Sequence, residues 1–221
     1  MKLLMNALIK FTCGLLMVGL LLFLPAGTLA YAKGWLLMGL LFGPMLIAGF
    51  VMFFKSPNFL AKRLDVKEKQ ATQKGVVAYS GLMFIGGFVV AGLDHRFGWS
   101  QMPMAVTVTA AVLFLLAYAL YAEVMRENAY LSRTIKVEEG QKVVDTGLYG
   151  IVRHPMYMAT LLLFLVMPLV LGSWYALIPF AFYPVIIIVR LKDEEELLTR
   201  ELPGYAEYKQ KVKYRILPFI W

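Results

Sequence analysis

Uncharged apolar runs alternate with short basic connections along most of this chain. Residues 11–32, 35–54, 75–93, 97–122 and 155–189 contain no Asp, Glu, Lys or Arg. A helix needs about 20 apolar residues to cross the hydrocarbon core of a bilayer, so each of the first four runs suits one crossing. The fifth is too long for one crossing and is expected to fold as an outgoing and a returning arm. Backbone groups in lipid must pair within their own segment, which favours helices. The alternation of polar and apolar residues that marks a membrane barrel is absent from the sequence. The pattern therefore predicts an all-α integral membrane protein of about five to six transmembrane helices, four plus a C-terminal helical hairpin. Gly172-Ser173 supplies a turn near the middle of the fifth run, and Pro168, Pro179 and Pro184 predict irregular helices around it.

Composition supports the same reading. Sixty per cent of residues are apolar and 16% are charged, where a soluble domain carries roughly a quarter charged. A net charge of +8 would point to nucleic acid in a soluble protein. Here it is a membrane signature, because basic residues mark cytoplasmic loops, and no nucleic-acid partner is expected. Lys33 alone separates the first two runs, whereas the next connection holds Lys55, Lys62, Arg63, Lys67, Lys69 and Lys74. Arg126, Arg133, Lys136, Lys142 and Arg153 follow the fourth run, and Lys209, Lys211, Lys213 and Arg215 lie near the end. This bias places the N-terminus, residues 55–74, residues 126–154 and the C-terminal tail in the cytoplasm of a multi-pass protein. Short loops and compact size are compatible with a bacterial inner membrane.

The first run resembles a secretory signal, with Lys2 and Lys10 before it and Ala30-Tyr31-Ala32 as a cleavage-like site. It exceeds the roughly 7 to 15 residues of a signal core, so a retained first helix is expected. Cys13 is the single cysteine, and His95 and His154 are the two histidines. That inventory gives no disulfide and no expected metal site.

Two regions follow: 1–125, the N-terminal transmembrane helices, and 126–221, where the polar residues gather. Residues 134–149 carry β-branched residues, two glycines and an Asp-Thr-Gly turn signal, and read as extended chain and turns. Residues 191–214 read as a charged helix interrupted at Pro203-Gly204, with Tyr205, Tyr208 and Val212 on one face of the resumed piece. That piece has the pattern of a helix lying on the membrane surface.

Two clusters carry candidate chemistry. Gly147-Leu148-Tyr149-Gly150-Ile151-Val152-Arg153-His154-Pro155-Met156-Tyr157 falls where polar chain enters the bilayer. Pro155 suits the first turn of a helix and puts His154 at its N-terminus. Arg and Tyr also serve as interfacial anchors, so residue types alone leave anchoring open. In Arg190-Leu191-Lys192-Asp193-Glu194-Glu195-Glu196-Leu197-Leu198, Arg190 and Glu194 are four apart and share a helix face. Alone, this is equally a solvated helix end with surface ion pairs. The two clusters flank the same hairpin, and folding it brings them to one membrane face. Converging His, Tyr, Arg and Glu suit a charged ligand. Glu could balance a cation, and the rings could add cation–π attraction.

In order and spacing these residues resemble the isoprenylcysteine carboxyl methyltransferase family and related phospholipid methyltransferases. The shared pattern is Gly147-x-Tyr149, Arg153-His154-Pro155-x-Tyr157, Arg190-x-x-x-Glu194-Glu195-x-x-Leu198, Gly204-Tyr205-x-x-Tyr208 and Leu217-Pro218-Phe219-Ile220, over roughly residues 125–221. The resemblance implies S-adenosylmethionine as methyl donor in a cytoplasmic cofactor pocket. It assigns Val144, Tyr149, His154, Pro155, Met156, Tyr157, Glu194 and Tyr208 to cofactor binding, with Arg190 and Glu195 as catalytic residues. Arg190 would face the methyl acceptor, a lipophilic small molecule or a lipid-modified one, and the chain is expected to contact membrane lipids. A carboxylate acceptor needs no general base; an amine or phenol would, with His154 or Glu195 as candidates. The chain departs from the prenyl-protein enzymes at Gln141-Lys142-Val143-Val144, where they carry a His.

Two other classes remain. Membrane sterol reductases share a related C-terminal architecture but use NADPH, whose phosphates would need Arg153, Lys142 and Lys192. A small transporter or assembly factor is the non-enzymatic alternative. Transporters place ionisable groups near mid-membrane, and the apolar runs here hold none beyond tyrosine and cysteine.

Overall fold

The computed structural model describes residues 2–64, 71–131 and 137–221, without the side chains at 71, 72 and 74. Lys67, Lys69, Arg133 and Lys136, the Lys74 side chain and the start of the 134–149 segment lie outside the described residues. The described chain is all helix and irregular connection.

Four helices are long and apolar enough to cross a membrane: α1 (Lys2–Ala26), α2 (Ala32–Lys55), α4 (Ala71–Phe97) over its Gly75–Phe97 portion, and α5 (Met104–Glu127). A short helix, α3 (Pro57–Leu64), follows α2 directly. Its Pro57 has no amide hydrogen to leave unpaired in a first turn, and it forces Ser56 out of helical geometry. Only 17% of the α1 span is buried, and Leu24 and Ile47 expose their apolar side chains. Such a surface is stable against hydrocarbon and not against water, so this is a multi-pass membrane protein.

The fifth run forms the expected hairpin with unequal arms. The outgoing arm is α6 (Pro155–Leu171), whose 17 residues rise about 25 Å. The return is broken into α7 (Leu177–Phe180) and α8 (Tyr183–Glu201), and only the start of α8 is apolar. Pro179 and Pro184 cannot donate to a preceding turn, which accounts for the break. At the hairpin tip, Asp94 of α4 is buried and accepts from the Ser100 amide at 2.7 Å, the Ser100 hydroxyl at 2.6 Å and the Ser173 hydroxyl. Tyr31 donates to the Leu171 carbonyl at 2.7 Å and stacks on His95. These bonds fix the tip, so α6 and α8 return to the other end of the bundle in a defined register.

α1 packs chiefly on α4, and α5 on α6. In α4, Gly87 lies under the Phe180 ring, and a Cβ on Gly92 would stand 2.5 Å from the Leu22 carbonyl oxygen. Small residues at such contacts let membrane helices approach closely.

The last helix, α9 (Tyr205–Lys211), corrects the expectation of a helix lying on the membrane surface. Tyr205, Tyr208 and Val212 are buried with Leu202 against Val137, Val143 and Leu198. The apolar face is taken up by the protein itself.

Overpacking a close helix contact costs about 1–3 kcal/mol. Gly92→Val is therefore expected to lower the detergent-solubilised melting temperature. Gly86→Ala, where nothing lies within 4 Å, should leave it unchanged. Differential scanning fluorimetry of both variants checks the pair.

Candidate active site

Three elements converge at the end of the bundle away from the hairpin tip: the end of α5, the start of α6 and the second half of α8. A 3-10 turn (Gly147–Gly150) leads into α6 and presents Tyr149 inward. The turn is held from α5, because Glu127 accepts from the Leu148 amide at 3.0 Å. Gly147 has φ +52, and a side chain there would run into the Glu127 carboxylate. Asn128, just past α5, donates to the Tyr149 hydroxyl at 2.9 Å.

Arg153 and His154 follow, both buried. Their amides donate to the carbonyls of Tyr214 at 2.9 Å and Arg215 at 2.8 Å, so residues 214–215 lie alongside the start of α6. Behind them is Glu195, 5% exposed. One oxygen accepts from Arg153 Nε at 2.6 Å and lies 3.3 Å from His154 Nε2, while the other accepts from Arg215 Nε at 3.1 Å. Arg153 also donates to the carbonyls of Val212 at 2.8 Å and Lys213 at 2.9 Å. Burial alone would raise the Glu195 carboxyl. Hydrogen bonds from His154 and Arg153, with their charges, outweigh it and hold the group down at about 2.

On the same helix, Arg190 and Glu194 meet at a single atom. Arg190 Nε donates to the Tyr157 hydroxyl at 3.1 Å, and that hydroxyl donates to Glu194. The shared face predicted from the spacing is thus real, with Tyr157 of α6 between the two charges.

A cavity opens in front of these groups. Val144, Tyr149, His154, Met156, Tyr157, Arg190, Glu194 and Tyr208 all line it, together with Asn128 and Tyr205. Pro155 and Glu195 do not. Pro155 is buried at the first position of α6 and shapes the turn. Glu195 faces away from the cavity, into Arg153, His154 and Arg215, and its carboxyl is held down by Arg153 and His154, which is not the placement expected of a base. Tyr208 contributes its ring, since its hydroxyl donates to the Tyr149 carbonyl at 2.7 Å. Burial pushes the phenols of Tyr149, Tyr205 and Tyr208 up, so all remain neutral.

Sequence reasoning passed over Asn128 and Tyr205. Tyr205 is 4% exposed, and its hydroxyl is buried without a partner on the cavity wall. The Gly204-Tyr205-x-x-Tyr208 spacing contained it, but nothing in the spacing tells which hydroxyl is spent internally. Asn128 sits in no recurrent spacing, and only its position at the end of α5 brings it in.

Residues 104–205 match the phospholipid methyltransferase family. The match begins within α5 rather than after it and ends before Leu217-Pro218-Phe219-Ile220. The chain is also similar to delta(14)-sterol reductases. That of Mus musculus is 30% identical over 91 residues, covering 40% of this chain and 22% of the relative. That of Arabidopsis thaliana is 25% identical over 134 residues, covering 55% of this chain and 36% of the relative. The chain thus spans between about a fifth and about a third of the length of these relatives.

Removing one partner from a buried ion pair costs about 3–5 kcal/mol. Glu195→Ala should destabilise the protein on that scale in chemical denaturation. Because the folded carboxyl is depressed from its ordinary 4.5 to about 2, the cluster contributes fully above pH 4.5. The contribution fades as pH falls through about 2, and is worth about 3 kcal/mol by linkage. Glu195→Gln should flatten that acid limb, and an unchanged limb would show that the stability comes from elsewhere.

Proposed function

We propose that this chain, whose residues 104–205 fall in the phospholipid methyltransferase family, transfers a methyl group from S-adenosylmethionine to a lipophilic acceptor at the membrane. The observation that carries the reading is the make-up of the cavity wall. Glu194 and several tyrosines line one space, and on the same wall Tyr205 has a buried hydroxyl with no partner. A carboxylate among aromatic faces suits a sulfonium cation, by charge and by cation–π attraction. An orphan buried hydroxyl costs free energy unless a ligand group satisfies it. Val144, Tyr149, His154, Met156, Tyr157, Glu194 and the ring of Tyr208 would hold the cofactor, with Asn128 and Tyr205 added and Pro155 shaping the turn beneath.

When bound, S-adenosylmethionine supplies a methyl carbon on positive sulfur, so that a C–O bond forms as the C–S bond breaks and sulfur keeps the pair. The chain's task is then alignment. Arg190 would draw an acceptor carboxylate to the cavity by a charge-assisted contact. An acceptor anion has no proton to lose, which accords with a Glu195 committed to its three partners. The buried Glu195 cluster would hold His154 and the start of α6 at the cavity wall. We assign the site end of the bundle to the cytoplasm, where the basic loops place it.

The sterol reductase relatives favour a second reading, an NADPH-dependent membrane reductase. The charge arrangement speaks for the first. Arg153, one of the cations at the cavity, is spent on Glu195 and two carbonyls, which leaves less to neutralise nucleotide phosphates.

Purified protein should bind S-adenosylmethionine in calorimetry, and NADPH weakly or not at all. Glu194→Ala should weaken binding about tenfold or more, the scale of one charged contact, and Tyr205→Phe several-fold. With methyl-labelled donor and a membrane lipid extract, label should enter lipid in a form released by mild base, as from a methyl ester. NADPH binding alone would put the reductase first. Base-stable label would move the acceptor from a carboxylate to an amine or phenol.

A further inference from the structure

The polar chain at the cavity does not end at Arg190. It continues onto α4, outside the family-matched residues, through Gln73. This side chain is fully buried, at 0% exposure. Its carbonyl oxygen accepts from Arg190 Nη1 at 3.0 Å, and its amide nitrogen donates to Asp193 Oδ2 at 2.9 Å. The sequence Asp193, Gln73, Arg190, Tyr157, Glu194 is therefore one continuous hydrogen-bonded path that leaves α8, crosses to α4 and α6, and returns.

The chemistry of the neighbours fixes which way the amide faces. A guanidinium only donates and an ionised carboxylate only accepts, so Gln73 must turn its oxygen to Arg190 and its nitrogen to Asp193. Glutamine is unusual in meeting both demands without adding a charge. Glutamate cannot donate to Asp193, lysine cannot accept from Arg190, and asparagine is one methylene shorter. A buried amide with both ends engaged is also costly to disturb, because each lost partner strands a polar group away from water.

We infer that Gln73 is a positioning residue for the acceptor side of the reaction. It fixes the guanidinium of Arg190 at the cavity and so sets where an anionic, lipid-borne acceptor group is held. This rests on the reading of Arg190 as the acceptor contact. Tyr157 Oη and Gln73 Oε1 grip Arg190 from two helices, at Nε and Nη1, so the plane of the guanidinium is defined as well as its position. A guanidinium whose plane is fixed in this way meets a planar carboxylate in a defined orientation. The N-terminal half, otherwise built of apolar helices, thereby supplies a residue to the site. Acceptor choice becomes a property of both halves, while the cofactor wall belongs to the second.

The test uses the full chain in detergent and two readouts. Phenylglyoxal modifies arginine, and mass spectrometry of timed samples gives the rate at Arg190 itself, independent of turnover. Gln73→Leu, similar in volume but unable to hydrogen-bond, should raise that rate several-fold while S-adenosylmethionine affinity stays within twofold. The paired change Gln73→Glu with Asp193→Asn reverses the donor at the 2.9 Å contact and keeps an acceptor for Arg190. It should restore the slow rate. In methyl transfer to a membrane lipid extract, Gln73→Leu should raise the acceptor KM about tenfold, as for one lost charge-assisted bond, with a smaller change in kcat. Combined with Arg190→Ala it should add nothing further.

An unchanged Arg190 rate in Gln73→Leu overturns the inference, whatever turnover does. Equal loss of cofactor affinity and acceptor KM also overturns it, since that marks a general structural role. Arg190→Ala without effect on acceptor KM or kcat instead defeats the reading of Arg190 as the acceptor contact, and leaves the Gln73 geometry to be judged by the modification rate alone.

Discussion

A carboxylate buried among cations organises this end of the molecule. Glu195 sits on α8 and draws in Arg153 and His154 from the turn before α6 and Arg215 from the tail. In a low-dielectric setting none of these charges tolerates isolation, since a stranded buried ion costs several kcal/mol. The three chain segments can therefore be buried here only together. The backbone reinforces the demand: the amides of Arg153 and His154 go to the carbonyls of residues 214 and 215, and Arg153 turns Nη1 on the carbonyls of Val212 and Lys213. With α8, the turn and the tail locked, α9 has one way to lie, with Tyr205 and Tyr208 toward the cavity. The placement of these rings on the cavity wall follows from satisfying one buried acid.

That arrangement explains the work of two adjacent glutamates. Glu194 and Glu195 stand about 100° apart around α8, enough to give the two carboxylates different surroundings. One faces the cavity beside Tyr157, the other the cluster of Arg153, His154 and Arg215. Neighbours in sequence thus acquire unlike environments, and only one stays available to a ligand. The same division appears in the tyrosines: Tyr208 spends its hydroxyl on the Tyr149 carbonyl, and Tyr205 keeps its own.

Much of this was legible before any coordinates. Charge-free runs of membrane length predicted α1, α2, α4 and α5, because the bilayer imposes a length and an apolar composition that few other contexts require. The fifth run predicted a hairpin, and the prolines its irregular return. The i to i+4 spacing put Arg190 and Glu194 on one face. Surface placement of α9 failed because amphipathicity reports that a face is buried and not what buries it; the partner, around Val137 and Val143, is remote in sequence. The expectation of Glu195 as a catalytic base misses its surroundings for a related reason. Residue type announces charge, but the direction of a side chain depends on whether cations from distant segments wait behind it. Gln73 carried no signal at all, since one amide in a basic connection is unremarkable until α4 is placed against α8.

The placement of Gln73 bears on how such a molecule can hold one chemistry and vary what it acts upon. The segment from α5 to α9 contains most of the cavity wall and its buried supports, so a change there disturbs several partners at once. α1 and α4 pack through small residues and apolar contacts, and apolar packing tolerates volume-conserving exchange. Gln73 is the point where the tolerant half touches the intolerant one. A substitution at that position can reorient Arg190 without entering the Glu195 cluster, because the two sets of contacts on α8 face different ways. The orientation of Arg190 and the integrity of the cavity wall are thereby separable in the structure, one set by an interhelical hydrogen bond at the edge and the other by a buried ion cluster at the centre.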